Sequence, residues 1–285
     1  MPAVTELDLA SLVGTTGARP GAVGFLTDAS LCIGCKACEV ACKQWNQLPA
    51  DGQDADGRQR LTGFSYDNTI DLGATTWRHV AFIEQPAAPP PTENAKTIAW
   101  LMLSDVCKHC VHAGCLEACP TGAIIRTEFD TVVIQADICN GCGYCVPACP
   151  FGVPQLSDTA HIAQKCTLCY DRLRDGMEPA CAQVCPTDSI IFGPISNLMP
   201  RAIERVATLK ERGHTDAQIY GDRASGGTHG VDGLNALFVL TASPETYNLP
   251  RAPELPQDKT LPAFVSTALA AVGLGLAAVA ALRGS

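Results

Sequence analysis

Sixteen of the 285 residues are cysteines, and they stand in four groups at short, regular spacings. The groups are Cys32, Cys35, Cys38 and Cys42; Cys107, Cys110, Cys115 and Cys119; Cys139, Cys142, Cys145 and Cys149; and Cys166, Cys169, Cys181 and Cys185. Groups one and three read C-x2-C-x2-C-x3-C, group two C-x2-C-x4-C-x3-C, and group four C-x2-C-x11-C-x3-C. A framework of disulfides is the signature of small secreted scaffolds behind a signal peptide. Here Met1 to Gly21 shows neither a basic n-region nor a continuous apolar h-region and reads as a polar, Gly/Pro-punctuated arm. Metal ligation accounts for the grouping better than bridging does.

The spacing of groups one and three is that of the ferredoxin loop, in which three thiolates wrap one cubane and the fourth reaches towards a neighbouring cluster. A cubane presents four corners; a tight loop covers three, and the last needs a ligand from another direction. With no ligand missing, each group points to a [4Fe–4S] cluster, giving four in all. Structural zinc, the competing reading, uses paired C-x2-C knuckles, which three close thiols plus a donated fourth fit poorly. Pro120, Pro150 and Pro186 follow the last cysteine of groups two, three and four and send the chain out as a strand. Cys42 is followed by Lys43 instead. Cys119-Pro-Thr-Gly-Ala-Ile-Ile and Cys185-Pro-Thr-Asp-Ser-Ile-Ile repeat one element, with Cys149-Pro150-Phe151-Gly152 a partial third copy.

Around the groups, strands are expected at Gly24 to Asp28, Trp77 to Glu84, Thr97 to Leu103, Ser189 to Phe192 and Ala236 to Thr241. A hairpin is expected where Ala123 to Thr127 meets Thr131 to Gln135. Arg201 to Arg212 predicts a helix with Pro200 at its start and Gly213 at its stop. These mark an N-terminal arm (1–24), a four-cluster domain (25–200) with an insertion and hairpin (49–104), a helix, strand and linker (201–260), and an anchor helix (261–282). Leu261 to Leu282 is 22 residues without a charge, about 33 Å of helix at about 1.5 Å per residue. A bilayer core is about 30 Å thick, so one crossing fits. A buried soluble helix is the alternative, disfavoured because the run has no polar face. The stripes Thr267/Ala271/Gly275 and Gly273/Ala277/Ala281 suit packing against an integral-membrane subunit.

Charge narrows the partners. With 29 acidic and 20 basic residues the net charge is −9, which argues against nucleic acid and against adsorption to anionic lipid by charge alone. Lys43, Lys108 and Lys165, beside candidate ligands, are expected as solvated side chains with modest effect, the alternative being that their charge raises local cluster potentials. His109 and His112 are expected to pack and hydrogen bond, and Trp45, Trp77 and Trp100 to serve a core or a subunit interface. The Gly273-Leu-Gly275 stretch matches a dinucleotide fingerprint only as text, since no strand precedes it. No nucleophile–base pair, phosphate loop or acid/base constellation stands out.

With its groups in this order the chain resembles the four-cluster ferredoxin-type beta subunits of molybdopterin oxidoreductases, and among them those of membrane-bound formate dehydrogenase. The likeness rests on Asp28-Ala-Ser-Leu-Cys-Ile-Gly-Cys-Lys-Ala-Cys-Glu-Val-Ala-Cys-Lys, on Ser65-Tyr-Asp-Asn and on Thr76-Trp-Arg-His-Val-Ala-Phe-Ile-Glu-Gln, and covers residues 22–282. It implies an α+β fold of two ferredoxin-like bis-[4Fe–4S] subdomains related by a pseudo-two-fold, plus a single C-terminal transmembrane helix. Groups one and four would form one subdomain and groups two and three the other. The resemblance assigns Cys32, Cys35, Cys38 and Cys185 to one cluster and Cys42, Cys166, Cys169 and Cys181 to a second. The third takes Cys107, Cys110, Cys115 and Cys149, and the fourth Cys119, Cys139, Cys142 and Cys145.

The same resemblance implies an electron-transfer subunit without catalysis of its own. It would pass electrons from a molybdopterin catalytic (alpha) subunit that oxidises formate to a membrane quinone-reducing subunit, either a cytochrome b or a haemless protein. The group-one cluster would face the catalytic subunit and the group-three cluster the membrane. The equivalent subunit of a hydrogenase or of a polysulfide- or nitrate-type reductase is the alternative. The expected location is the cytoplasmic membrane, single-pass, with the bulk outside by co-export with the catalytic partner. Lys259 and Arg283 flank the helix and do not fix its orientation.

Overall fold

The apolar run before the first cysteine group forms β1 (Val23–Asp28), buried over its whole length. This is seen in a computed structural model that describes residues 21–50, 66–86, 98–222 and 230–283. Helix α1 (Ala37–Trp45) follows and carries Cys38 and Cys42. Strands β2 (Arg78–Pro86) and β3 (Ile98–Val106) pair antiparallel from Arg78 opposite Val106 to Pro86 opposite Ile98. Short pieces come next: α2 (Gly114–Glu117), the hairpin β4 (Ile124–Arg126) and β5 (Val132–Ile134), and α3 (Cys145–Ala148). They continue with the ladder β6 (Gln155–Leu156) and β7 (Ala163–Gln164), then α4 (Tyr170–Arg174) and α5 (Ala180–Gln183). The remaining elements are β8 (Ile190–Pro194), α6 (Ile195–Glu211), β9 (Gln218–Tyr220), β10 (Ala236–Leu240) and α7 (Thr260–Arg283). Most of the expected arm, the middle of the insertion (51–65), the proline loop (87–97) and part of the Gly-rich stretch (223–229) lie outside the described residues.

The main sheet has the order β8-β1-β10-β9, with β1 and β10 parallel and the outer pairs antiparallel. Alternation along the strands divides the interior. Leu26, Leu237 and Val239 face α6, while Val23, Phe25, Ala236, Phe238 and Leu240 join the core that holds the cysteine loops. Covered on both faces, β10 reads as an unbroken apolar run, and β1 as one as far as Leu26. Gly24 is needed where β1 passes the Asn235 carbonyl, since a Cβ there would lie 1.8 Å from that oxygen.

Helix α6 begins at Ile195, not near Pro200 as the sequence predicts, and Pro200 lies inside it. Tertiary packing decides this. Ile195, Leu198, Ala202, Val206 and Leu209 form one buried face at helical period, and the two apolar residues before Pro200 on that face add roughly 1.5–3 kcal/mol each. That offsets the cost of about 3 kcal/mol for an interior proline. At the other end, α7 has exposed Phe264, Leu269 and Leu274. The window Pro256–Leu276 has a mean hydropathy of 1.4, is long and apolar enough to cross a membrane, and has none of its residues buried within the chain. Within this chain α7 is therefore not a buried helix. The architecture mixes helices and strands, ending in one apolar helix.

Candidate metal centres

The four cysteine loops share a backbone device. In each, the second residue after the first cysteine is left-handed: Gly34 (φ 68°), His109 (φ 43°), Gly141 (φ 73°) and Leu168 (φ 59°). The turn reverses the backbone between the first two cysteines. Glycine suits positions 34 and 141 doubly, because a Cβ would come within 2.7 Å of the Phe82 ring or 2.2 Å of the His161 carbonyl oxygen. The exits repeat as well. Gly122, Gly152 and Asp188, each three residues after the last cysteine of its group, are left-handed at 68°, 65° and 53°. Cys42, which lacks the proline, stays inside α1, and that helix runs on to Trp45.

These loops bring sulfurs from different groups together. Cys32, Cys35, Cys38 and Cys185 line one cavity, and Cys107, Cys110, Cys115 and Cys149 line another. Cys42 lies among Cys181, Cys169 and Cys38, and Cys145 among Cys139, Cys142 and Cys119. Helix α1 packs on α5, and α2 on α3. The sets follow one another closely enough for their sulfurs to act on each other: Cys181 on Cys38, Cys107 on Cys166, and Cys145 on Cys115. Among the described residues, no three His, Cys, Asp or Glu side chains converge to hold a single metal ion. The sulfurs instead line cavity walls, a layout that suits a bulky cubane better than a zinc ion.

Electrostatics point the same way. Burial pushes the thiols of Cys38, Cys145 and Cys169 up to about 11 and that of Cys115 up to about 12. Burial also drives Cys42, Cys110 and Cys166 well above the ordinary thiol value, with neighbouring sulfurs adding to it. Thiolates in such places need positive charge close by, and bound iron would supply it.

The lysines correct the sequence reading. Lys108 and Lys165 are not solvated; they are 1% and 2% exposed. Lys165 Nζ lies 3.6 Å from Cys107 Sγ and donates to the carbonyl oxygens of Val132 and Cys166. Burial alone would lower its pKa, but the sulfurs of Cys107, Cys115 and Cys166 outweigh this and raise it. Lys108 pairs with Asp105 and sits over the Phe151 and Phe238 rings. Lys43 alone of the three is partly exposed, its Nζ donating to the Thr75 carbonyl at 2.8 Å. His109 is buried and held neutral by burial and then by the charge of Lys165; its Nδ1 accepts from the Val132 N–H. His112 pairs with Glu117. Trp45 and Trp100 are exposed, and Trp77 is half-buried.

Sequence reasoning passes over Arg78, whose buried side chain lies among Cys181, Cys38, Cys166 and Cys42. The available signal was an arginine two positions before Val80 on a strand of apolar alternation.

A family model described as a 4Fe-4S dicluster domain matches residues 98–195. The formate dehydrogenase iron-sulfur subunit of Haemophilus influenzae is 38% identical over 97% of this chain and 86% of its own length. This chain is a member of the family of formate dehydrogenase iron–sulfur subunits. Another member, the nitrate-inducible formate dehydrogenase iron-sulfur subunit of Escherichia coli, is 40% identical over 88% of this chain and 80% of its own. The B subunit of the anaerobic dimethyl sulfoxide reductase of Escherichia coli is more distant, at 33% over 61% of this chain and 75% of its own length. As a formate dehydrogenase iron–sulfur subunit, the chain transfers electrons and is not the catalytic subunit.

Proposed function

We propose that the sixteen cysteines hold four [4Fe–4S] clusters in the crossed sets, and that the chain links a molybdopterin formate-oxidising subunit to a quinone-reducing membrane subunit. The observation that carries this reading is the cavity lined by Cys32, Cys35 and Cys38 from one group and Cys185 from another. Bound there, the clusters would supply one-electron carriers. The packing of α1 on α5 and of α2 on α3 supports two bis-cluster subdomains in a pseudo-two-fold relation.

The protein's own residues orient and insulate. Cys35 and Cys142 are the exposed cysteines among the described residues, at opposite ends of the succession of sets. Each has exposed apolar neighbours: Leu31 and Ile33 at one end, Ile138 and Tyr144 at the other. These rims suit burial against partner subunits, the Cys35 end towards the catalytic subunit and the Cys142 end towards the membrane. Helix α7 serves as a single-pass anchor in the cytoplasmic membrane, with the bulk of the chain on the outer side.

Anaerobic analysis of the purified chain is expected to return about sixteen irons and sixteen acid-labile sulfides, four of each per cubane. Zinc as the main metal would overturn the reading.

A further inference from the structure

The Arg78 guanidinium is 1% exposed and has no carboxylate partner among the described residues. The Phe25 ring covers one of its faces at 4.7 Å. Nη1 donates to the Ser104 hydroxyl at 2.9 Å and to the Ser104 carbonyl at 3.3 Å, and that hydroxyl lies 3.3 Å from Cys38 Sγ. Nε and Nη2 have no hydrogen-bond partner among the described residues. The groups acting most strongly on its charge are the sulfurs of Cys181, Cys38, Cys166 and Cys42.

A buried guanidinium stays charged, and a buried charge without a counter-charge is strongly disfavoured. Orphaned buried donors are likewise rare unless a missing group accepts from them. One arrangement would resolve both. Net-negative iron–sulfur clusters held by the cysteines around Arg78 would supply the counter-charge, and their sulfurs could accept from the unpartnered N–H groups of Nε and Nη2.

We infer that Arg78 is a potential-setting residue shared by the Cys32/Cys35/Cys38/Cys185 and Cys42/Cys166/Cys169/Cys181 clusters, donating its orphaned N–H groups to their sulfurs. This rests on the cluster assignment above. A bound cluster would supply a one-electron carrier that is more negative when reduced. Arg78 exchanges no proton and stays cationic throughout. Its charge and hydrogen bonds favour the more negative state and so raise both potentials.

Potentiometric titration followed by EPR tests this on the intact, cluster-bearing chain. In Arg78→Met, two of the four signals should shift to lower potential by at least tenfold in the reduction equilibrium, about 59 mV for one electron. The other two should hold. Arg78→Lys keeps the charge but loses the fork of donors, and should move the same two signals downward by less. Lost packing alone would not give a paired, same-direction shift that lysine partly restores. Four loaded clusters with unchanged potentials, or a shift confined to one, would overturn the inference. If the methionine variant fails to assemble, the lysine variant decides alone, and unchanged potentials there overturn it. A wild-type chain without iron would remove the cluster assignment instead, and this inference with it.

Discussion

The outer and inner cysteine sets are built from the same loops yet sit in opposite surroundings. In the outer sets Cys35 and Cys142 are exposed, and Cys32, Cys185, Cys119 and Cys139 are half-buried. Only Cys38 and Cys145 of the outer sets are buried, whereas in the inner sets every cysteine but the half-buried Cys149 is buried. The buried cations sit towards the middle: Lys165 lies among Cys107, Cys115 and Cys166 of the inner sets, and Arg78 lies where Cys38 of an outer set meets Cys42, Cys166 and Cys181 of an inner one. The repeat thus copied the loop and not its environment. Arg78 comes from the β2–β3 hairpin and Lys165 from the strand exit before group four, neither of them part of the Cys-Pro repeat. Solvent screens added charge at the ends of the succession; fixed cations take over that task in the middle.

Replacing one cysteine in each environment tests this division most severely. Cys166→Ser leaves a fully buried corner without a ligand next to Lys165, and metal binding in such sites is coupled to folding. Iron per chain should fall by more than one cubane's worth, with the purified yield. Cys35→Ser should lose iron from its own cluster alone, and its EPR change should match that of Cys185→Ser. Equal iron loss in both variants would erase the contrast between inner and outer sets.

The two ends can then be separated from each other. In the assembled complex, Cys142→Ser should abolish quinone reduction while sparing formate oxidation with an artificial dye. Matching losses of the two activities would mean that the Cys142 end is not the exit.

The smallest effect is expected on the far side of the sheet. Leu198→Ala, on the buried face of α6, should lower stability by about 2–5 kcal/mol and the thermal midpoint by several degrees. The EPR spectrum should be unchanged, because α6 and the cysteine loops pack on opposite faces of β1 and β10. A perturbed spectrum would show the two cores to be coupled.

What was legible in the sequence is what local chemistry dictates. Cysteine spacing marked the loops, Cys-Pro marked three exits that end in left-handed residues, and an uncharged run marked α7. The β4–β5 hairpin lies inside the stretch expected for it. What escaped belongs to tertiary contact. Lysine beside a cysteine reads as a surface charge, and nothing local states that Lys165 turns inward to meet Cys107. The start of α6 was misplaced because Pro200 is a local helix signal, whereas Ile195 and Leu198 gain their weight only against β1 and β10. Arg78 escaped because its partners come from α1, β3 and the fourth group.

The central place of β1 also governs when the molecule can be completed during synthesis. Phe25 pairs with Phe192 on one side and with Ala236 on the other, the latter more than 200 residues later in the chain. At about 5–20 residues per second, a ribosome needs on the order of 10–40 s to supply that partner. Cys185 and β8 reach the loop bearing Cys32, Cys35 and Cys38 first, and until Ala236 follows β1 still lacks its second flanking strand. The amino-terminal cysteines therefore wait through most of synthesis before the sheet that frames them can close.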